Sequence, residues 1–303
     1  MANVRRSWLV VPVHQPRRIE MAREYSPDVL VLDLEYTVPP KYKEQAREAL
    51  KHRVRNLYRT FPELFVRLDW STCWADARAA VYPGLKGLVL PGPELVDEVT
   101  ELDALVSKLE SERGVAPGSV EFVLMLESAK GFWNIFDLAK ASQRVSALGV
   151  GRIDLTMELG PEPSGEFRLA RLLMTRTLTA AQALGKQPLG AHFIAGSRGG
   201  VASSEVTRKA AHEGWQMGFT GYIAATPEQV PVFNEGFTPP ADYVKKAAEI
   251  LKSYEKNEAA EVELNGQMYD AFKVGRMDEI LSFATACTAQ DKEKKEAARQ
   301  VTR

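Results

Sequence analysis

Short apolar runs alternate with longer amphipathic, charge-rich segments between residues 7 and 227. The apolar runs are nearly continuous and rich in β-branched residues, which is typical of parallel strands covered by helices on both faces. Eight such runs predict strands at 7–13, 29–35, 64–69, 87–92, 121–127, 147–154, 188–195 and 218–226. Eight strands with intervening helices over about 220 residues predict an α/β fold, the (β/α)8 TIM barrel.

A doubly wound open sheet is the alternative architecture for alternating strands and helices. That fold needs a glycine-rich phosphate-binding turn after its first strand. The corresponding stretch here, "VPVHQPRR", contains no glycine, so the barrel is favoured for residues 1–235.

The pattern changes after Thr226, where prolines punctuate a loop that leads into amphipathic helices. This change predicts a C-terminal helical extension over residues 236–290. The last segment, 291–303, is so rich in charge that a frayed, solvated helix or disorder is expected.

Composition and charge exclude several classes of protein. The 303 residues are 45% hydrophobic, which argues against disorder, and 39 basic residues against 40 acidic ones argue against a nucleic-acid binder.

No apolar run approaches the roughly 18 residues of a membrane span, and "SWLVVPV", which contains a proline, is too short for a signal peptide. Two distant cysteines, Cys73 and Cys287, predict a reduced, cytoplasmic protein. Small molecules are the expected partners.

Polar residues at the ends of the predicted strands carry the candidate chemistry, because active sites of (β/α)8 barrels lie at the C-terminal ends of the strands. These residues are His14, Glu35, Arg67, Asp69, Glu127 and Asp154. Any one of them taken alone is equally well explained as a solvated group, or for Asp154 as the cap of a following helix. Their convergence on one mouth of the barrel predicts a catalytic site.

Glu127 and Asp154 end neighbouring predicted strands at equivalent heights. Two carboxylates suit a hard divalent cation such as Mg2+, which prefers oxygen ligands and retains several waters. No group of histidines and cysteines has the spacing of a zinc site. We therefore predict that Glu127 and Asp154 are metal ligands.

Arg67 lies between apolar residues in "LFVRLD", where a guanidinium is costly without a partner. Its planar fork matches a carboxylate, so either a substrate acid or an internal Glu would satisfy it. Glu35 has three open roles: it positions a metal-bound water, acts as a base, or pairs with Arg67. Both residues are candidate catalytic residues, and Arg67 is also a candidate substrate-binding residue.

Several blocks of the chain resemble those of citrate lyase beta subunit-like (CitE-like) proteins of the HpcH/HpaI aldolase superfamily, over residues 5 to about 283. The most specific blocks are "VLVLDLEYTVPP", "FVRLD", "LMLESAKGFWN" and "ALGVGRIDLTMELG". The resemblance implies a carbon–carbon lyase or aldolase on a (β/α)8 barrel that forms a homotrimer or a dimer of trimers. It also implies Mg2+ or Mn2+ on Glu127 and Asp154, with Arg67 on the carboxylate of a small 2-oxo or hydroxy acid, often as a CoA thioester.

The C-terminal block "VELNGQMYDAF" also resembles the family, and in relatives the residue matching Asp270 reaches the active site of a neighbouring subunit. The resemblance therefore implies that Asp270 is a catalytic acid and that the extension packs at an oligomer interface. The alternative is that Asp270 caps the helix that follows.

The chain departs from the family pattern at Val13, Tyr36, Tyr222 and Thr226, where Gly, Asp, Lys and His are usual. These departures leave three functions open. The first is a lyase for CoA thioesters of the citryl-CoA or malyl-CoA kind, and the second is an aldolase on a free 2-oxo acid. The third is a non-catalytic relative that binds a metabolite.

Overall fold

The computed structural model of the protein describes residues 4–160, 168–192, 202–257, 261–264 and 266–301. The chain divides into two compact units. The larger unit comprises Arg5–Phe237, and the smaller one comprises Met1–Val4 together with Thr238–Arg303.

Eight parallel strands form the sheet of the larger unit. They are β1 (Ser7–Pro12), β2 (Val29–Asp33), β3 (Glu63–Arg67), β4 (Gly87–Pro91), β5 (Glu121–Leu126), β6 (Val145–Val150), β7 (Gln187–Leu189) and β8 (Tyr222–Ala224). Neighbours follow the order β7-β6-β5-β4-β3-β2-β1-β8. A parallel bridge between Leu189 and Gly221 joins the two ends of this order and closes the sheet. The predicted (β/α)8 barrel is confirmed.

Helices follow the strands along the larger unit. They are α1 (Pro16–Tyr25), α2 (Lys43–Leu57), α3 (Cys73–Ala80), α4 (Val96–Arg113), α5 (Ala129–Trp133), α6 (Ile135–Lys140), α7 (Arg152–Leu159), α8 (Arg168–Ala183), α9 (Ser204–Met217) and α10 (Gln229–Gly236). Single 3-10 turns at Pro40–Tyr42 and Trp70–Thr72 precede α2 and α3. Among the described residues, no helix has the length and apolar character needed to cross a membrane.

All eight strands end earlier than the sequence predicted. β2 ends at Asp33 and β3 at Arg67, two residues before the predicted ends, and β6 ends at Val150. Asp154 therefore lies in the first turn of α7 and not at the end of a strand. The reason is that apolar residues beyond the ladder, such as Leu34, remain fully buried, so hydrophobicity does not mark where strand pairing stops. The predicted positions 193–195 of the seventh strand lie outside the described residues.

Successive side chains of each strand point alternately into the barrel interior and toward the surrounding helices. Val29 and Val31 of β2 pack in an interior cluster with Phe65 of β3 and with Val123 and Met125 of β5. Because successive side chains of a strand point to opposite faces, the same parity continues inward at residues 33, 67 and 127. Three acidic or basic side chains are thereby aimed at the C-terminal end of the interior.

An ionic cluster occupies the other end of the barrel interior. The guanidinium of Arg5 donates to Glu121 at 2.7 Å and to Glu63 at 2.9 Å, and these two carboxylates begin β5 and β3. Above it, the rings of Trp8 and Phe65 meet edge to face, with their centroids 4.8 Å apart. These contacts fill the N-terminal end of the barrel, so the polar groups at the C-terminal end are the ones left to form a site.

The smaller unit contains α11 (Ala241–Asn257), β9 (Glu261–Leu264), β10 (Gln267–Asp270) and α12 (Ala271–Val301). The helical extension is confirmed, and the structure adds an antiparallel hairpin that the sequence analysis did not predict. Gly266 in its turn has a φ of 76°, a left-handed conformation that glycine adopts without strain. The two strands have only four residues each, too short for a clear alternating pattern. α12 includes most of the charged segment for which a frayed helix or disorder was expected.

Candidate active site at the C-terminal end of the barrel

Asp33 and Arg67 form a buried ion pair in the site. They are opposite each other in the register of β2 and β3, and Arg67 Nε donates to Asp33 Oδ1 at 2.6 Å. Asp33 is fully buried and also accepts hydrogen bonds from the backbone N (2.9 Å) and hydroxyl (2.6 Å) of Thr37. Burial alone would raise the pKa of Asp33, but the hydrogen bond and charge of Arg67 outweigh it and lower the pKa.

The strand-end pattern did not predict Asp33 as the partner of Arg67. The sequence left that role to a substrate acid or an internal Glu. The available signal was parity, since residue 33 shares its face with Val29 and Val31. The pair with Asp33 uses only Nε, and Nη1 and Nη2 of Arg67 form no hydrogen bond with the residues that the structure describes. The outer edge of the guanidinium therefore remains available to a ligand.

Glu35 lies two residues beyond β2 and is largely buried. Its Oε2 accepts no hydrogen bond from the described residues and lies 3.4 Å from Arg67 Nε. Burial raises the pKa of Glu35 to about 8; Arg67 opposes this shift and the nearby charge of Glu127 reinforces it. With this raised pKa, Glu35 can gain or lose a proton near neutral pH while it lies within ion-pair distance of Arg67.

Lys43 fixes the backbone around Glu35. Its Nζ donates to the carbonyl oxygens of Leu34 and Glu35, the latter at 2.9 Å, and to Asp69 Oδ2 at 2.6 Å. Asp69 also accepts from the backbone N of Ser71 at 3.1 Å, where it begins the 3-10 turn after β3. Asp69, a strand-end candidate from the sequence, thus holds the loop in place.

Glu127 follows β5 directly and lies against Gly151, the residue after β6. A Cβ at position 151 would lie 2.3 Å from Glu127 Cγ, so only glycine leaves room for this carboxylate. Burial raises the pKa of Glu127 to about 7, and the charge of Asp154 adds to the shift while Arg67 opposes it. The two predicted metal ligands are therefore close enough to repel each other.

Asp154 reaches the site from the first turn of α7 and contacts Tyr36. The Tyr36 hydroxyl donates to Asp154 Oδ1 at 3.1 Å, and the Tyr36 ring lies over the Arg67 guanidinium with 5.3 Å between its centroid and Cζ. Burial and the charges of Glu127 and Asp154 raise the pKa of Tyr36, so the hydroxyl keeps its proton. Tyr36 thereby connects the arginine to the carboxylate pair.

The donor set fits a hard divalent cation. Glu127 and Asp154 offer only oxygen atoms, their mutual repulsion would be relieved by a cation, and Gly151 leaves space beside Glu127. Within the described part of the chain, no group of three or more His, Cys, Asp or Glu side chains could hold a metal ion. A site with two protein ligands is the arrangement that Mg2+ commonly accepts, because it keeps several waters.

Two other sequence candidates have local roles. His14 stacks on Tyr42 with 5.1 Å between ring centroids, and its buried Nδ1 has no hydrogen-bond partner among the described residues. Asp270 belongs to the smaller unit, where its Oδ1 accepts from the backbone N of Lys273 at 2.9 Å. This bond is the helix-capping contact that was the alternative reading of Asp270.

Comparisons with known proteins identify relatives over nearly the whole chain. The citrate lyase subunit beta of Haemophilus influenzae is 28% identical over 290 residues, which cover 93% of this chain and 97% of the relative. The L-malyl-CoA/beta-methylmalyl-CoA lyase of Cereibacter sphaeroides is 27% identical over 308 residues, covering 94% and 93%. CitE of Mycobacterium tuberculosis, solved with magnesium, acetoacetate and coenzyme A, has a TM-score of 0.71 at 23% identity, covering 92% of this chain and 97% of that one.

The family follows from the sequence match. A sequence model of the HpcH/HpaI aldolase/citrate lyase family matches residues 6–227, which include all eight strands of the barrel. The relatives named above are lyases, so the predicted enzyme class is confirmed at the level of the family. The chain belongs to the HpcH/HpaI aldolase/citrate lyase family.

Proposed function

We propose that this chain is a carbon–carbon lyase, dependent on Mg2+ or Mn2+, that cleaves or forms a bond next to a 2-oxo acid. The proposed substrate class is a CoA thioester of the citryl-CoA or malyl-CoA kind. The observation that carries the proposal is that the Arg67 guanidinium and the mutually repelling Glu127 and Asp154 carboxylates lie at the same end of the barrel. Tyr36 contacts both Arg67 and Asp154. A small acid bound to both would have its carboxylate on Arg67 and its 2-oxo oxygen beside Glu127 and Asp154.

Glu127 and Asp154 would hold the cation. When bound, the cation polarises the 2-oxo oxygen and stabilises the negative charge that develops there. Magnesium in the CitE structure of Mycobacterium tuberculosis supports this choice. The repulsion between the two carboxylates is the feature of this chain that favours a cation.

Arg67 orients the substrate in this proposal. Asp33 binds its Nε, so the plane of the guanidinium is set before a ligand arrives. Nη1 and Nη2 then donate two parallel hydrogen bonds to the acid's carboxylate. Such preorganisation lowers the entropic cost of aligning the bond that breaks.

Glu35 is the proposed acid–base group. Cleavage of a 3-hydroxyacyl thioester removes the proton of the hydroxyl and leaves an enolate that takes up a proton on carbon. A carboxyl group whose pKa is about 8 exchanges protons near neutral pH, which is the range an acid–base catalyst needs. The Lys43 bonds to the Glu35 loop keep this carboxyl in position.

The direct test is turnover. The purified protein with Mg2+ is expected to cleave citryl-CoA or malyl-CoA and to lose this activity with EDTA. Binding of CoA or acetyl-CoA to the native state should also raise the melting temperature. Cleavage of a free 2-oxo acid without any CoA effect would support the aldolase alternative, and binding without turnover of any candidate would contradict a catalytic role.

We also propose that Asp270 supplies an acid to the active site of a neighbouring subunit in a trimer-based oligomer. The support is the resemblance of "NGQMYD" to the family's C-terminal block. The exposed position of Asp270 at the end of β10 leaves one of its oxygens, beyond the capping Oδ1, unbonded by the described residues.

Complementation tests this shared site. Inactive Asp270→Asn and inactive Glu127→Gln proteins are mixed and allowed to exchange subunits, and activity is expected to return because some mixed sites contain both native groups. Verified exchange without recovered activity would contradict the role of Asp270. Analytical ultracentrifugation of each protein checks the predicted trimer.

A cytoplasmic location is part of the proposal. Cys73 and Cys287 are both buried and free. Free thiols are typical of proteins kept in reducing compartments.

A further inference from the structure

We propose that Tyr36 determines substrate specificity by covering Arg67 and the carboxylate pair together, so that the site accepts small 2-oxo acids that are unbranched next to the carbonyl carbon. This inference rests on the proposed function, because it assumes that the small acid binds between Arg67 and the Glu127–Asp154 pair. Tyr36 contacts both ends of this site, and the proposed chemistry assigns it neither the metal nor a proton transfer.

The first contact concerns the face of the guanidinium. The Tyr36 ring lies over Arg67, with 5.3 Å between the ring centroid and Cζ, and the Arg67 side chain is only 12% exposed. Asp33 already occupies the Nε edge. A ligand therefore reaches Arg67 only through Nη1 and Nη2, in the plane of the guanidinium and alongside the ring.

The second contact anchors the other end of the same ring. The hydroxyl donates to Asp154 Oδ1 at 3.1 Å, so the phenol extends from the arginine to the carboxylate pair. A ligand that joins these two groups must lie along the ring for its whole length. Methyl groups on the carbon next to the carbonyl would project toward the ring and contact it.

Tyr36 contributes little to the stability of the barrel. It is 63% exposed and packs in none of the hydrophobic clusters of the described residues. An exposed side chain of this size gains little from burial, so the position of its ring over Arg67 adds little to folding and leaves one face of the ring free to contact a ligand. Removing the ring is therefore expected to leave the protein folded.

The test compares two acids of equal charge, pyruvate and 3-methyl-2-oxobutanoate, by calorimetric titration in the presence of Mg2+. The wild type should prefer pyruvate by about tenfold or more, the range that small steric differences produce in a binding pocket. Tyr36→Ala should reduce this preference to less than about threefold, a smaller discrimination than one methylene gives. Tyr36→Phe keeps the ring and loses only the hydrogen bond, so it should keep the preference.

Tyr58 provides the matched control. It is 40% exposed and lies under the guanidinium of Arg59, with 5.4 Å between Cζ and the ring centroid, but it follows α2 at the opposite end of the barrel. Tyr58→Ala should leave the preference for pyruvate unchanged.

The outcomes separate this inference from the proposed function. If the wild type binds pyruvate with Mg2+ and Tyr36→Ala keeps the full preference, the inference is wrong and the lyase proposal stands. If Tyr36→Phe loses the preference as fully as Tyr36→Ala does, the hydroxyl and not the ring selects the ligand, which also overturns the inference. If the wild type binds neither acid with Mg2+, the proposed function fails.

Discussion

Replacing Glu127 with Gln is expected to weaken Mg2+ binding by at least about a hundredfold while leaving the barrel folded. The amide has the same shape but no charge, so one of only two anionic ligands is lost. Substitution of a residue that only supports the ligands lowers metal affinity by up to about a hundredfold, so the loss of a ligand itself should lower it further. Asp154→Asn should have a similar effect, and both are measured by calorimetric titration with Mg2+.

The pH dependence of the same titration gives an independent check. Burial and Asp154 raise the pKa of Glu127 to about 7, so below that pH the carboxyl carries a proton that Mg2+ must displace. Affinity should therefore fall as pH drops from 8 to 6 in the wild type. This dependence should be much reduced in Glu127→Gln, which has no proton to release at that position.

Glu121→Gln is the matched control, since Glu121 begins the strand that Glu127 follows and is bound by Arg5. Its Mg2+ affinity should equal that of the wild type. Undiminished Mg2+ affinity in both Glu127→Gln and Asp154→Asn would refute the metal-site assignment.

Replacing Arg67 with Lys should weaken binding of the small acid by between about tenfold and a hundredfold. Lys preserves the positive charge beside Asp33 but cannot offer two parallel donors, and hydrogen bonds to charged groups are worth about 1.5–3 kcal/mol. The readout is the dissociation constant for pyruvate or oxaloacetate at saturating Mg2+. The melting temperature is measured alongside it.

Arg144→Lys serves as the control for this substitution. Arg144 also pairs with a buried carboxylate, Glu110, at 2.7 Å, but it precedes β6 at the N-terminal end of the barrel. That variant should lose stability without losing affinity for the acid. If Arg67→Lys instead loses stability and keeps its affinity, Arg67 is a structural partner of Asp33 and not a substrate-binding residue.

The sequence alone determined the architecture of the barrel and the position of its candidate site. Strands covered on both faces must be continuously apolar, so eight such runs identified the sheet before any contact was known. A charged residue directly after a buried run must face either solvent or a site. Glu127 was found in this way, and Arg67 was found because a guanidinium inside an apolar strand needs a partner; both inferences use only the residue's own strand.

Tertiary structure decided which of these groups act on one another. Asp33 meets Arg67 because β2 and β3 pair in one register. The hydrophobic pattern did not specify this pairing, because the apolar run continues beyond the end of β2. Tyr36 and Asp154 are 118 residues apart and meet only when the barrel closes. The raised pKa values of Glu35 and Glu127 depend on burial and on charges from other strands. A linear pattern carries no information on such distances, because electrostatic and steric effects act through space between segments whose alignment only the folded chain defines.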